Sequence, residues 1–257
     1  MIVNKAYRYR IYPTREQKIT FAKTFGCVRF IYNKMLSDRL DYYKETGQKL
    51  NNTPAQYKEE FPWLKEVDSL ALANAQMNLN KAYSHFWNDN KHFGKPRFKS
   101  KKNRRASYST NNQKGSVRIE GHKVKLPKVG WVKLCQHRPL PENSIIKTVT
   151  ISQTPSGKYY ISMLVEYENQ ILPVIPKTFL GLDFAIHGLY VASDEEDAKY
   201  PSFLRTAEKR LAKAQRKLSN KQKGSHNREK QRLRVAILHE KVANQRQDFL
   251  HKKARYL

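Results

Sequence analysis

The sequence predicts an α+β fold in which two long helices interrupt a β-sheet and two more helices follow it. Three observations carry this prediction. Residues 2–12 alternate apolar and basic side chains in the manner of a strand. Residues 15 to the mid-40s and about 69–90 repeat apolar residues at spacings of three and four, the period of an amphipathic helix. Four further short strands predict a small barrel or sandwich that includes residues 2–12.

Local signals set the limits of these elements. Thr14, followed three residues later by Gln17, is a capping box that begins the first helix, and Gly47 ends it. Turn residues separate the later strands, because Gly, Pro and Ser adopt the backbone angles that turns require. Those strands are predicted at 117–126, 130–134, 145–153 and 158–167.

The last third of the chain has a different pattern. Pro173 and Pro176 mark a linker, and residues 179–192 predict a β-hairpin. Residues 203–257 are helical in pattern and dense in Lys and Arg, which predicts two long antiparallel helices joined by a turn at 220–227.

The charge of the chain predicts a polyanionic partner. Its 257 residues contain 50 Lys and Arg against 22 Asp and Glu, a formal net charge of +28. Such an excess opposes compaction unless an anion neutralises it, and 15 Tyr, 11 Phe and 3 Trp still supply a core. Two cysteines exclude a disulfide framework, and we see neither a membrane-length apolar run nor a signal peptide. We therefore expect an intracellular protein that binds nucleic acid.

Two basic blocks hold most of this charge. Residues 94–138 carry 14 basic side chains and one acidic, and residues 205–257 carry 17 and four. Seven of the eleven residues at 95–105 are Lys or Arg, and Phe98 among them is available to stack on a base. Asn74 and Asn78 share a helix face and are candidates for bidentate contacts to adenine, although capping or simple exposure explains them equally well. The predicted nucleic-acid-binding residues are Lys5, Arg8, Arg10, Asn74, Asn78, Lys95, Arg97, Phe98, Lys99, Lys101, Lys102, Arg104, Arg105, Tyr108, Lys209, Arg210, Lys213, Arg216, Lys217, Arg228 and Arg232.

Asp183 is the one candidate for metal chemistry. An acidic residue in an apolar strand of a hairpin is the first metal-binding position of ribonuclease-H-like nucleases, where several carboxylates hold two Mg²⁺. The later acids are crowded in one loop at 194–197 or lie on basic helices, and the eight histidines are scattered. We therefore predict no catalytic residue and no metal site, with Asp183 vestigial.

Several long motifs resemble the TnpB family of transposon-encoded RNA-guided DNA nucleases, which is related to type V CRISPR effectors. They span essentially the whole chain, in order: KAYRYRIYPT at 5–14, FGCVRFIYN at 25–33, AYSHFW at 82–87 with GKPRFKSK at 94–101, RIEGHKVKLPKVGWVK at 118–133, GLD at 181–183, and AEKRLAKAQRKLS to LHEKVANQRQDFLHK at 207–252. The resemblance implies a wedge-like β-barrel split by a helical recognition insert, then a RuvC-like domain. The expected domains are a first wedge strand at 1–13, the insert at 14–93, the wedge barrel at 94–175 and a truncated RuvC-like domain at 176–257.

The resemblance also implies a function. It implies a guide RNA as obligatory partner, no other cofactor, and a DNA duplex carrying a short target-adjacent motif. In that family a Glu, a second Asp and a four-cysteine zinc ribbon follow the helical hairpin, whereas this sequence ends at Leu257 and has Ala185 where the family has Gly. We therefore expect a nuclease-dead, RNA-guided repressor of transcription rather than an enzyme, cytoplasmic and associated with the nucleoid, with no membrane partner. A separated piece of an active nuclease and a guide-independent RNA-binding protein are the alternatives.

Overall fold

The structure is a computed structural model that describes residues 1–102, 106–168, 175, 178–185, 188–193 and 200–257. Its contacts divide the chain into two units, Met1–Gln170 and Ile171–Leu257. No helix of the described residues is both long enough and apolar enough to cross a membrane.

The first unit is built on one antiparallel sheet. Its strands are β1 (Ile2–Tyr12), β2 (Ala106–Asn111), β3 (Arg118–Glu120), β4 (Lys123–Leu126), β5 (Gly130–Cys135), β6 (Ile145–Gln153) and β7 (Tyr159–Glu168). The order across the sheet is β2-β6-β7-β1-β5-β4-β3, so the first strand is central. Ten residue pairs join β1 to β7 and three join it to β5. The sheet curls into a half-barrel, and its edge strands β2 and β3 are not paired with each other in the described residues.

A long helix, α1 (Arg15–Thr46), packs its apolar face on this sheet. The capping box is present, with the Gln17 N–H donating to the Thr14 hydroxyl, and Gly47 ends the helix at a φ of 69° that suits glycine. Phe21 and Phe25 are buried, and the Phe21 ring lies 5.6 Å from that of Tyr159 on β7. These contacts make the helix and the sheet one hydrophobic core.

Three further helical segments complete the first unit: α2 (Tyr57–Glu60), a 3-10 helix (Pro62–Glu66) and α3 (Ser69–Asn88). Asp68 caps α3 by accepting a hydrogen bond from the Leu70 N–H. The other oxygen of the same buried carboxylate accepts from the Thr110 hydroxyl on β2. One side chain therefore both begins α3 and ties it to the edge of the sheet.

The second unit contains two short strands and two helices. Strands β8 (Leu182–Phe184) and β9 (Tyr190–Ala192) form an antiparallel hairpin. Helices α4 (Phe203–Ser219) and α5 (His226–Tyr256) pack on each other, with Leu211, Val235 and Val242 buried between them. The Gln231 amide donates to the Ala214 carbonyl across the helix pair. The predicted helical hairpin is confirmed.

The sequence-based expectations for the sheet need three corrections. Strand β2 was not predicted, because Ala106–Asn111 reads as ASYSTN and offers only one large apolar side chain, Tyr108. The sheet is a curled half-barrel, whereas a small barrel or sandwich was expected. The segment predicted as a strand at 117–126 forms two short antiparallel strands, β3 and β4, because the turn at Gly121 and His122 divides it. The other strands and both long helices of this unit are confirmed to within a few residues. The truncated RuvC-like domain stays a prediction.

Candidate nucleic-acid interface

Strand β1 presents cations on the face of the sheet opposite the core. Tyr7, Tyr9 and Ile11 point inward and are buried, so Arg8 and Arg10 point the other way. The Arg8 guanidinium lies 4.2 Å from the ring centre of Tyr160 on β7, and Arg10 lies 5.0 Å from that of Tyr12. A guanidinium stacked on an aromatic ring still has N–H groups at the guanidinium edge that can donate to phosphate oxygens. This face of the sheet is therefore suited to binding the phosphate backbone of a nucleic acid. Lys5, on the same strand, is exposed.

The basic segment after α3 is fixed to α1 by side-chain bonds. The Asn33 amide donates to the Lys99 carbonyl at 2.9 Å and its oxygen accepts from the Lys99 N–H at 2.8 Å. The Lys99 ammonium lies 4.0 Å from the Tyr32 ring centre, and its desolvation there lowers the pKa of Lys99. The neighbouring candidates are all exposed: Lys95, Arg97, Phe98, Lys101 and Lys102. Arg104 and Arg105 lie outside the described residues.

The two candidate asparagines of α3, Asn74 and Asn78, differ in availability. The Asn74 amide group donates to the Leu70 carbonyl at 2.8 Å, and the residue is half-buried. Asn78 is exposed on the same helix. Neither caps the helix, which begins at Asp68 instead. Asn78 is therefore the side chain of this pair that is free to approach a base edge.

Tyr108 was predicted to contact nucleic acid, and the structure places it in the core. Only 4% of its surface is exposed, and its ring packs 5.8 Å from Phe25 and 6.4 Å from Phe21. Burial also raises the pKa of its hydroxyl. A ring enclosed on this side of the sheet cannot stack on a base, so that assignment is wrong.

Helix α4 carries a row of free cations. Lys209, Arg210, Lys213, Arg216 and Lys217 are all exposed, and none forms an ion pair with any other described residue. Like charges at this spacing repel one another, so the row costs helix stability unless an anion lies along it. This is the arrangement expected of a surface that neutralises phosphates.

Two arginines of α5 act within the protein. Arg228 donates through Nη1 to the carbonyls of Leu218 and Lys221, at 2.7 and 2.8 Å, and so satisfies the C-terminal end of α4. These bonds occupy Nη1 and give Arg228 a structural role, and its assignment to nucleic acid stays a prediction. Arg232 is half-buried and pairs with Glu229 at 2.8 Å, so its charge is already compensated.

Sequence reasoning missed the aromatic partners of these cations. Tyr160, Tyr12 and Tyr32 each lie against a cation. The spacing of two between Arg10 and Tyr12 in a predicted strand places both on one face and was a usable signal, whereas no spacing relates Tyr160 to Arg8 or Tyr32 to Lys99. For Tyr160 a signal exists once β1 is paired with β7, since Tyr160 is then directly opposite Arg10 and diagonal to Arg8.

Asp183 lies on β8 with its side chain exposed. Its carboxylate accepts a hydrogen bond from the Phe184 N–H at 2.8 Å. Within the described ranges no three His, Cys, Asp or Glu residues come together in a way that could hold a metal ion. The described residues therefore do not make up the carboxylate cluster or the zinc site that the resemblance implies, and no chemical step is derived through either.

Comparison with known proteins agrees with this architecture. A solved Cas12f1–sgRNA–target DNA complex contains a chain similar in fold, with a TM-score of 0.57 at 11% identity, covering 99% of this chain and 78% of that one. The family model described as "Helix-turn-helix domain" of OrfB from IS605 matches residues 1–48, and the OrfB model described as "Probable transposase" matches residues 162–257. Residues 1–48 hold β1 and α1 here, so the first description does not fit their local structure.

Two curated relatives match nearly the whole chain. One is the "Putative RNA-guided DNA endonuclease" of Streptomyces pristinaespiralis, 35% identical over 97% of this chain and 63% of its own length. The other is the "Putative RNA-guided DNA endonuclease InsQ" of Escherichia coli (strain K12), 31% identical over 96% of this chain and 62% of its own. The chain shares its fold with a chain of the Cas12f1 complex, and it belongs to the TnpB family.

This result corrects the expectation that the chain is not an enzyme. That expectation rested on carboxylates missing from 257 residues, and it is wrong because the relatives that match those residues are named endonucleases. The chain spans slightly under two thirds of their length. A count of carboxylates within this span therefore does not decide whether the family's reaction occurs.

Proposed function

We propose that this chain binds a guide RNA together with the DNA that the guide selects, as the nucleic-acid-binding part of an RNA-guided DNA endonuclease. The observation that carries the proposal is the row of five uncompensated cations on α4. A row of cations without acidic partners is stabilised when phosphates lie against it. The formal net charge of +28 on the whole chain favours a long polyanion as the partner. The cations of β1 and of residues 95–102 add two further surfaces of the same sign.

Base pairing between guide and target would supply most of the sequence specificity, as in other RNA-guided effectors. The protein itself would then read only a short motif beside the target. Asn78 is the side chain we assign to that reading, because its amide is exposed and a carboxamide can bond both polar atoms of an adenine edge. Substituting Asn78 by Ala is expected to relax one position of the motif, whereas loss of a phosphate-binding lysine weakens binding to all sequences alike.

The test is guided binding measured with purified protein. The protein is isolated from its native cell and the RNA that accompanies it is sequenced. One dominant RNA, with a constant region and a short segment that matches DNA, supports the proposal. DNA carrying the matched sequence should then bind more tightly than a scrambled control, and the affinity should fall steeply with salt.

Two controls separate this proposal from its alternatives. A mixed pool of abundant cellular RNA, with DNA binding that ignores the guide, would refute guided binding and leave a general RNA-binding protein. Asp183→Ala is expected to leave binding unchanged, because this exposed carboxylate belongs to none of the three cationic surfaces. A weaker affinity of that variant would show that the strand β8 region takes part in binding.

Repression of transcription is a second candidate, since a protein held at a promoter blocks polymerase whether or not the DNA is cut. It is supported by the same cationic surfaces and needs its own measurement. A reporter whose promoter matches the guide should lose expression when protein and guide are both present. Expression that falls equally with a mismatched guide would argue against occupancy as the cause.

A further inference from the structure

A polar cavity of about 380 Å³ lies between α1, the loop at 49–53 and α3, on a part of the first unit that none of the predicted contacts uses. Its lining includes Arg39, Lys49, Asn80 and Trp87. The lining contains two cations and no carboxylate. A cavity with this charge favours an anionic ligand.

The floor of the cavity is held in place by hydrogen bonds. The Arg39 guanidinium donates to the side-chain oxygens of Asn52 and Asn80, both at 2.8 Å. Asn52 is buried and in turn donates to the Tyr57 hydroxyl at 2.7 Å. The partners of Arg39 are neutral amides, so its charge is not cancelled, and desolvation lowers its pKa. Its Nη2 has no hydrogen-bond partner among the described residues, which leaves N–H groups for an incoming anion.

One wall of the cavity is aromatic. Tyr83 and Trp87, one helical turn apart on α3, are stacked with ring centres 5.2 Å apart and planes at 27°. Trp87 is 57% exposed despite its size, and the Lys49 ammonium lies 5.2 Å from its ring centre. An exposed, oriented indole beside a cation is a platform on which a flat ring can stack.

We propose that this cavity binds one unpaired nucleotide, with its base stacked on Trp87 and its phosphate near Lys49 and Arg39. Stacking needs a planar group, the amides around the cavity suit the polar edge of a base, and the two cations suit a phosphate. The volume lies at the lower end of ligand pockets and is too small for a base pair, which points to a single nucleotide that has left its helix. This inference rests on the proposed function, and either the guide RNA or the target DNA is a possible source of the nucleotide.

The test compares Trp87→Ala with Met77→Ala in the complete complex of protein, guide RNA and DNA. Met77 lies on the same helix, has the same exposed fraction of 57%, and does not line the cavity, so it controls for surface truncation. Loss of one stacking contact should weaken binding roughly 5- to 150-fold in Trp87→Ala, while Met77→Ala should bind as the native protein does. Trp87→Phe keeps a flat ring and should recover much of the affinity. Thermal melting of each variant verifies that it is folded.

An abasic scan then identifies the nucleotide. Each nucleotide of the RNA, and then of each DNA strand, is replaced in turn by an abasic unit. At one position the abasic replacement should weaken binding by the native protein by the same factor as the Trp87→Ala substitution does. The same replacement should cause no further loss of binding by the Trp87→Ala variant. The strand that contains this position shows whether RNA or DNA supplies the nucleotide.

The failures are distinguishable. If the native protein binds the complex and Trp87→Ala matches Met77→Ala, the cavity proposal is overturned and the proposed function stands. The same conclusion follows if Trp87→Phe is as weak as Trp87→Ala, or if no abasic position is coupled to Trp87. If the native protein binds neither RNA nor guided DNA, the proposed function fails and the cavity proposal fails with it.

Discussion

Substitution of Arg228 distinguishes a structural arginine from a nucleic-acid-binding one. Its guanidinium bonds two carbonyls at the end of α4, at 2.7 and 2.8 Å. At about 1.5 kcal/mol each, the lower value for a charged donor, the two bonds contribute about 3 kcal/mol. The Leu218 carbonyl keeps a second donor, the Lys221 N–H at 3.3 Å, and water reaches the half-buried site. We therefore expect Arg228→Ala to destabilise the hairpin by about 2 kcal/mol.

The assay is hydrogen exchange of the backbone amides of α4, because it reports local opening of one unit. A cost of about 2 kcal/mol corresponds to roughly 30-fold faster exchange in the last turn of the helix. Arg228→Lys keeps the charge but lacks the planar fork of donors, so it should recover only part of the protection. Arg216→Ala is the matched control, since this exposed cation on α4 should change stability by less than about 0.5 kcal/mol.

Binding measurements on the same proteins complete the comparison. Arg216→Ala should weaken RNA binding and reduce the salt slope by about one ion. The reasoning is refuted if Arg228→Ala exchanges at the native rate while its RNA affinity falls as much as that of Arg216→Ala. That outcome would return Arg228 to the set of phosphate contacts.

Three further predictions concern single side chains. Burial raises the pKa of Cys27 from an ordinary 9.0 to about 11, so its thiol ionises first in the unfolded chain. Its contribution to stability is complete below pH 9 and should be lost as the pH rises towards 11. Between pH 9 and 10, urea unfolding should therefore show a steeper loss of stability for the native protein than for Cys27→Ala, and alkylation at pH 8 should modify the exposed Cys135 and spare the buried Cys27. Thr14→Ala removes the N-cap of α1 and should lower stability by about 1 kcal/mol in urea unfolding, with an unchanged midpoint counting against the capping box. Asn33→Ala removes the two hydrogen bonds to Lys99 without changing the charge of the basic segment. RNA affinity should fall because the segment must then be ordered on binding, and an affinity equal to the native value would show that these two bonds do not position the segment.

The fold was predictable where local signals agree with tertiary contacts. Thr14, Gln17 and Gly47 define α1 through bonds made within a few residues, and those bonds form in any context that allows the helix. Strand β2 was not predictable, because its membership of the sheet comes from pairing with β6, some forty positions away. The short polar segment there becomes a strand only when another strand lies beside it.

The candidate site was predictable in its charge and not in its geometry. Lys and Arg counts identify the basic blocks, but nothing in the sequence distinguishes Arg216 from Arg228. Arg228 reaches the backbone carbonyls of Leu218 and Lys221 only because the loop between α4 and α5 brings the two helices together. The same limit applies to Tyr108, whose ring faces the core because of the register of β2. The cavity beside Trp87 escaped sequence analysis because its residues come from three separate segments and no one of them has an unusual composition.

The central position of β1 has a consequence for synthesis of the protein. Ile2 pairs with Glu168, and ten of its strand's residue pairs are with β7. At translation rates of about 5 to 20 residues per second, β1 waits on the order of 10 to 30 s for its main partner to be made. The contacts of α1 and α3 with each other are available earlier. A ribosome that stalls before β7 is made therefore holds a chain whose first strand has only its three pairs with β5 available, and the ten pairs that make β1 central can form only after residue 168.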